Sequence, residues 1–287
     1  MSPAPGGRWS DLDRPPLDPR ALRRALIVPG GLWTRLDVTE VTGSTNADLA
    51  AAAARGEATA GAVLIAEEQT RGRGRLGRTW SAPARSGLFF SVLLDPARDG
   101  VPERHLTWLP LLAGVAVATA LARAAGVDTS LKWPNDLLVG VDGAERKFGG
   151  ILAERVEQAG GAVVLGIGLN VSLRAGELPV PQAGSLLLAG ARSTDRDPLL
   201  RAVLRALADW YGRWTAAAGD PAASGLHAAY AAGCATLGRE VRAELPGGGE
   251  LRGEARALDG DGRLVIATRE GTRHEVAAAD IIHLRAT

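Results

Sequence analysis

The sequence predicts an α+β (α/β) fold followed by a small C-terminal β-barrel, on three observations. Up to about residue 235, short apolar strands alternate with alanine-rich helical stretches. Hydrophobic residues make up 46% of the 287, ample for a sizeable core. From about Thr236 the texture changes to short β-rich runs separated by glycine turns.

Taken in order, residues 1–18 are Pro-rich and charged and read as disordered, and Pro19 to Ile27 reads as a short helix. Leu32 to Val41 alternates apolar and polar, as a half-buried strand does. Ser44, Thr45 and Asn46 form an N-cap cluster ahead of an alanine-rich helix that ends at Gly56. Ala62 to Glu67 and Gly87 to Leu94 read as buried strands, separated by a polar Gly/Arg-rich loop of nearly twenty residues. Loops of that length inside a compact domain are usually functional. Thr107 to Ala125 reads as a long buried helix. Strands are expected over Ser130–Trp133, Asp136–Val141, Gly150–Val156 and Ala162–Val171, then helices over Pro198–Ala217 and Ala222–Ala232. Five short strands follow, over Glu240–Glu244, Leu251–Ala257, Leu264–Thr268, Arg273–Val276 and Ile281–Leu284. Gly247-Gly248-Gly249, Asp259-Gly260 and Asp261-Gly262 mark hairpins between them. The expected organisation is an N-terminal extension (1–30), a large domain (31–235) and a small barrel (236–287).

Composition excludes several classes. Net charge is +1, so no bulk electrostatic case exists for a nucleic-acid or membrane partner. One cysteine, Cys234, rules out an intrachain disulfide, and four scattered histidines make a structural zinc site unexpected. The first thirty residues lack a signal-peptide apolar run, and Leu106 to Ala122 is too short and interrupted to span a bilayer. The chain reads as cytoplasmic and soluble.

Scarcity points to the site. Only two lysines, Lys132 and Lys147, accompany 31 arginines, and only three asparagines occur, Asn46, Asn135 and Asn170. Arg is planar and bulkier, so it cannot copy a lysine that must reach one oxygen in a tight pocket. The long loop runs Gln69-Thr70-Arg71-Gly72-Arg73-Gly74-Arg75-Leu76-Gly77-Arg78-Thr79-Trp80. Its glycines fit dinucleotide-binding spacing, with Asp95 near the distance of a ribose-binding acid. Ser81, Pro83 and Gly87 forbid the helix that fingerprint requires. Arginines interleaved with glycines describe instead a mobile cationic loop able to fold over phosphate and carboxylate groups, or a solvated basic loop that touches RNA. Lys132-Trp133-Pro134-Asn135-Asp136 makes a rigid corner between two strands. Lys147-Phe148-Gly149-Gly150 and Gly166-Ile167-Gly168-Leu169-Asn170 put glycines in strands where side chains are expected. A flat ligand lying on the sheet would account for both, as would close helix packing.

These segments occur in the order seen in bacterial biotin protein ligases, which the chain resembles over about residues 32 to 285. The resemblance implies a class II aminoacyl-tRNA synthetase-like catalytic domain with a mixed sheet, with the terminal barrel as that family's small C-terminal domain. About thirty residues, half of them Pro-rich, precede the first strand, too few for the winged helix of repressor members; the chain resembles the ligase-only type, with no DNA partner expected. The implied reaction joins biotin to ATP as biotinyl-5′-adenylate, then transfers biotin to a lysine of a biotin carboxyl carrier domain of acyl-CoA carboxylases. The resemblance assigns biotin binding to Ser44, Thr45, Asn46, Gln69, Arg73, Gly74, Arg75, Trp80 and Lys147. It assigns the nucleotide to Arg75, Arg78, Lys132, Asn135, Asp136, Gly168 and Asn170, and catalysis to Lys147, Arg73 and Arg75. Mg²⁺ is expected with ATP, through phosphate and water, with no dedicated protein ligand. A monomer or weak homodimer is expected. The rivals are a lipoate or octanoate ligase of the same fold and an RNA-binding protein using the Arg-Gly loop.

Overall fold

A computed structural model describes residues 13–245 and 247–284. Helix α1 (Pro19–Leu26) leads into strand β1 (Arg35–Thr42), helix α2 (Thr45–Ala54) and strand β2 (Ala62–Gln69). Two two-residue strands follow, β3 (Gly72–Arg73) and β4 (Thr79–Trp80), then β5 (Gly87–Leu94) and α3 (Trp108–Ala124). Next come β6 (Thr129–Lys132), β7 (Asp136–Val141), β8 (Ala144–Val156), β9 (Ala162–Asn170), α4 (Arg196–Ala216) and α5 (Leu226–Gly233). The last part is β10 (Glu240–Glu244), β11 (Glu250–Leu258), β12 (Leu264–Ala267), β13 (Arg273–Val276) and β14 (Asp280–His283).

Seven strands form one mixed sheet in the order β1-β2-β5-β9-β8-β7-β6. β1 and β2 run parallel because α2 crosses between them; the other neighbours are antiparallel. The strand alternation divides the core. Val92, Leu94, Val163 and Leu165 face the cluster made with α1, α3, α4 and α5, while Leu93 and Val164 face Leu49 and Ala53 of α2. Helix α3 is apolar on all sides and accordingly buried between sheet and helices, with Pro110 in its first turn, where its missing amide costs no helical bond. Among the described residues, no helix is long and apolar enough to cross a membrane.

The N-terminal segment departs from expectation. Residues 1–12 lie outside the described residues, but 13–18 are folded against the large domain. Leu17 is buried and its amide donates to Glu67 Oε1 at 2.7 Å. Arg196 pairs with Glu67 at 2.5 Å and donates to the Pro15 carbonyl at 2.6 Å. A buried charge pair with a hydrogen bond to each carboxylate oxygen holds this strap, and nothing in its Pro-rich composition signals that.

The C-terminal strands form an antiparallel sheet in the order β13-β12-β11-β10-β14. Among the described residues no ladder joins the edge strands β13 and β14, so the expected barrel is an open five-stranded sheet. Tryptophans dock it on the large domain: Trp108 Nε1 donates to Gly260 O at 2.8 Å and Trp133 Nε1 to Gly262 O at 3.0 Å. Trp133, read from the sequence as part of the site corner, is thus a buried interdomain anchor that also backs the cavity wall.

Candidate active site

A cavity of about 300 Å³ opens between the α2-side face of the sheet, the β3–β4 hairpin and strand β14. One end is neutral and rich in hydroxyls and amides. Ser44 is the N-cap residue of α2 yet its side chain makes no capping bond, and it lines the cavity. Thr45 donates from its backbone amide and its hydroxyl to Gln69 Oε1, at 2.9 and 3.1 Å. Ser91 Oγ, buried beneath, lies 2.7 Å from Thr45 Oγ1 and donates to Asn46 Oδ1 at 2.6 Å. Asn46 Nδ2 donates to Glu154 Oε2 at 2.8 Å and to Leu152 O at 3.2 Å. Thr45, Asn46, Gln69 and Ser91 are preoriented because each already spends part of its bonding capacity on a neighbour.

The other end is charged. Lys147 Nζ stands 2.5 Å from Asp136 Oδ1 and 5.7 Å from the centre of the Trp80 ring. Arg75 donates to Asn135 Oδ1 at 3.2 Å, and Asn135 Nδ2 donates to Ile151 O at 2.9 Å, which ties the Pro134 corner to β8. Burial lowers the Arg75 guanidinium, while Asp280 and Asp136 pull it back up. Burial likewise pushes the Lys132 ammonium below the usual lysine range; Asp136 opposes the shift and Lys147 adds to it. Arg73 reaches Glu154 at 3.3 Å, and Arg78 pairs with Asp280 of β14.

The strand glycines make room for protein side chains. A Cβ on Gly168 would come within 3.1 Å of the Trp80 indole and one on Gly150 within 3.3 Å. On Gly166 it would collide with the Asn46 carboxamide. The bare strands therefore let Trp80 and Asn46 lie low enough to leave a cavity above them.

Of the residues singled out from the sequence, Ser44, Thr45, Asn46, Gln69, Arg73, Gly74, Arg75 and Arg78 line the cavity. So do Trp80, Lys132, Asn135, Asp136, Lys147 and Gly168. Asn170 does not: it is buried at 3% exposure, and its Nδ2 donates to Gly184 O at 3.0 Å. The Gly/Arg-rich loop folds as a short hairpin with two ladder pairs, Gly72–Trp80 and Arg73–Thr79.

The pattern of relatives agrees with this geometry. Residues 38–171 match the biotin/lipoate A/B protein ligase family and residues 236–284 the biotin protein ligase C-terminal domain. Over 275 residues the chain is 45% identical to the biotin–[acetyl-CoA-carboxylase] ligase of Mycobacterium tuberculosis, covering 95% of this chain and 97% of that protein. The chain belongs to the biotin protein ligase family. It is also 32% identical to the Paracoccus denitrificans biotin–[acetyl-CoA-carboxylase] ligase, over 76% of this chain and 88% of that one. The solved structure of the Aquifex aeolicus ligase in complex with biotin and ATP superposes with a TM-score of 0.69. Its sequence is 28% identical, and the match covers 88% of this chain and all of that one.

Sequence reasoning missed Ser91, Glu154 and Asp280. Ser91 had a signal, as the one polar residue of Gly87–Leu94. Glu154 and Asp280 had none, since what singles them out is an arginine partner on a segment distant in sequence.

Proposed function

We propose that this chain is an ATP-dependent ligase that makes biotinyl-5′-adenylate and transfers biotin to a lysine of a carboxylase carrier domain. The observation that carries the reading is one cavity with a neutral amide–hydroxyl end and a cationic end. Ser44, Thr45 and Gln69 suit a ureido ring, which presents both donors and an acceptor. Leaving such buried polar groups unmatched costs about 1–3 kcal/mol each, so a lipoyl chain without a ureido group would be rejected. Arg73, Gly74 and Trp80 wall the bound acid, with Trp80 lying over Gly150 and Gly168.

In the first step a carboxylate oxygen of biotin attacks the α-phosphorus of ATP, and the bond to the bridging oxygen of pyrophosphate breaks. Two anions must meet, so the barrier is largely electrostatic. Lys147 suits the position between carboxylate and phosphate oxygens once its pairing with Asp136 is relaxed or shared. Arg75, Arg78 and Lys132 offset the remaining negative charge, and Asn135 with Asp136 orients the nucleotide. Magnesium would accompany the triphosphate and offset part of its negative charge. In the second step the neutral acceptor amine attacks the mixed anhydride carbonyl, AMP leaves, and the amine sheds a proton as the amide forms. The hairpin keeps water from the anhydride meanwhile. On this reading the enzyme acts in the cytoplasm as a monomer or weak homodimer.

The test is incubation with ATP, biotin and an apo carrier domain. The carrier should gain the mass of one biotinyl group at its single target lysine. Competing lipoate should leave biotin-dependent pyrophosphate release unchanged; preferential use of lipoate or octanoate would move the assignment to the sister activity.

A further inference from the structure

Under the neutral end of the cavity the side-chain hydrogens can be counted. Asn46 fixes the starting point. Its Nδ2 has two hydrogens and two oxygens to take them, the Leu152 carbonyl at 3.2 Å and the Glu154 carboxylate at 2.8 Å. The carboxamide therefore faces one way, with Oδ1 turned toward β5. The bare Gly166, cross-strand partner of Ser91, leaves room for it there.

Ser91 Oγ lies 2.6 Å from that oxygen and 2.7 Å from Thr45 Oγ1. A carboxamide oxygen carries no hydrogen, so the Ser91 hydrogen goes to Asn46. The contact between the two hydroxyls then needs the Thr45 hydrogen. Thr45 Oγ1 also stands 3.1 Å from Gln69 Oε1, an oxygen that already accepts from the Thr45 amide at 2.9 Å. Three contacts thus share two hydrogens, and all three lie within the protein. No hydroxyl hydrogen is left to point into the cavity, so Thr45, which lines it, offers a ligand lone pairs alone. Ser91 itself is fully buried in an otherwise apolar strand and lies outside the cavity lining.

We propose that Ser91 is a positioning residue for ligand selection: by drawing the Thr45 hydrogen inward it makes that hydroxyl an acceptor. The neutral end then favours a ring N–H and rejects a ring of the same shape with oxygen at that place. The inference rests on the reading that this end of the cavity takes a ureido ring. An oxygen facing Thr45 would meet lone pairs with lone pairs while Ser91 holds the hydrogen. Without Ser91, the acceptor left to the hydroxyl is Gln69 Oε1, farther off and already bonded to the Thr45 amide. The Thr45 hydrogen can then turn to a ligand oxygen.

The experiment is titration calorimetry of the full chain as wild type, Ser91→Ala and Ser91→Thr. The ligands are biotin and its two cyclic carbamate analogues, each with one ring N–H replaced by oxygen. Thermal midpoints are measured on every protein, and Ser91→Cys carries the comparison should Ser91→Ala not fold. Wild type is expected to reject one of the two carbamates by at least about 100-fold relative to biotin. Ser91→Ala should bind biotin about 10-fold more weakly and narrow that ratio by about 10-fold. Ser91→Thr, which keeps the hydroxyl, should restore the ratio. Equal weakening of biotin and carbamate in Ser91→Ala would reduce Ser91 to packing and overturn the proposal. So would wild type binding both carbamates as tightly as biotin. Failure of wild type to bind biotin at all would instead defeat the functional reading on which the inference rests.

Discussion

Lys147 lies between a carboxylate 2.5 Å away and an indole face 5.7 Å away, in a chain with one other lysine and 31 arginines. A guanidinium there would be wider and would place its charge farther along the side chain, where it could fork onto Asp136 instead of turning to an incoming oxygen. Lys147→Arg is therefore expected to be nearly as slow as Lys147→Ala in single-turnover adenylate formation, each by about 100-fold. Retention of most of the wild-type rate by the arginine variant would mean that lysine is there by accident. Arg75 plays a different part, holding Asn135 from the hairpin at 3.2 Å. Arg75→Gly should weaken retention of the adenylate by about 1.5–3 kcal/mol, seen as faster release of the intermediate and labelling of bystander lysines; an unchanged off-rate would refute that role. At this scale the sequence was informative where chemistry had made a residue irreplaceable. Both lysines and two of the three asparagines line the cavity. Asn170 lies outside the cavity lining, with its Nδ2 spent on the Gly184 carbonyl.

The β3–β4 hairpin is lightly held, with Arg75 tied to Asn135 and to the Ala279 carbonyl. It has two ladder pairs, an Arg73–Glu154 contact that is half exposed on the arginine side, and the Arg78 pair with Asp280. Its glycines raise the entropy cost of order, and its arginines repel one another until an anion arrives. Biotinyl-adenylate should accordingly slow amide exchange across residues 71–79 well beyond the change in β5 or β9. Equal protection with and without ligand would count against a closing role. The floor beneath it is less forgiving. Gly166→Ala should displace Asn46 and weaken biotin binding by about 10-fold, the equivalent of roughly one lost hydrogen bond, measurable by titration calorimetry. Strands such as Gly87–Leu94 and Asp136–Val141 were legible to the residue, because apolar runs bounded by turn residues have one reading. The hairpin was not, since Gly and Arg follow no period. Barrel closure was not either, because it depends on whether β13 and β14 meet, and strand spacing is silent on that.

The two parts of the molecule share the site, since Asp280 and Ala279 of the C-terminal part meet Arg78 and Arg75 of the hairpin. Their seam holds a titratable group. Arg239, which can only donate, points Nη1 at His283 Nδ1 at 3.1 Å, so Nδ1 must accept and the proton sits on Nε2, 3.1 Å from Thr236 Oγ1. That hydroxyl oxygen in turn accepts from the Trp133 amide at 3.1 Å, next to the site corner. Burial, then the charges of Lys132 and Arg239, hold His283 down to about 4 from an ordinary 6.5, with only Glu145 opposing. The unfolded chain therefore binds this proton more readily than the folded one. Its contribution to stability is fully present above about pH 6.5, shrinks as pH falls, and is gone below about pH 4, with a ceiling of about 3 kcal/mol. Glu145, held low first by its bonds from Arg239, adds acid sensitivity only lower, from the usual carboxylate range downward. His283→Gln keeps a donor and an acceptor but cannot titrate. Denaturant unfolding of both proteins between pH 7.5 and pH 5 should show wild type losing roughly 2 kcal/mol more than the variant. Because the seam carries one wall of the cavity, adenylate formation should decline over the same interval in wild type alone. Parallel stability curves for the two proteins would remove His283 as the cause, and would leave the docking of the C-terminal sheet to its tryptophans.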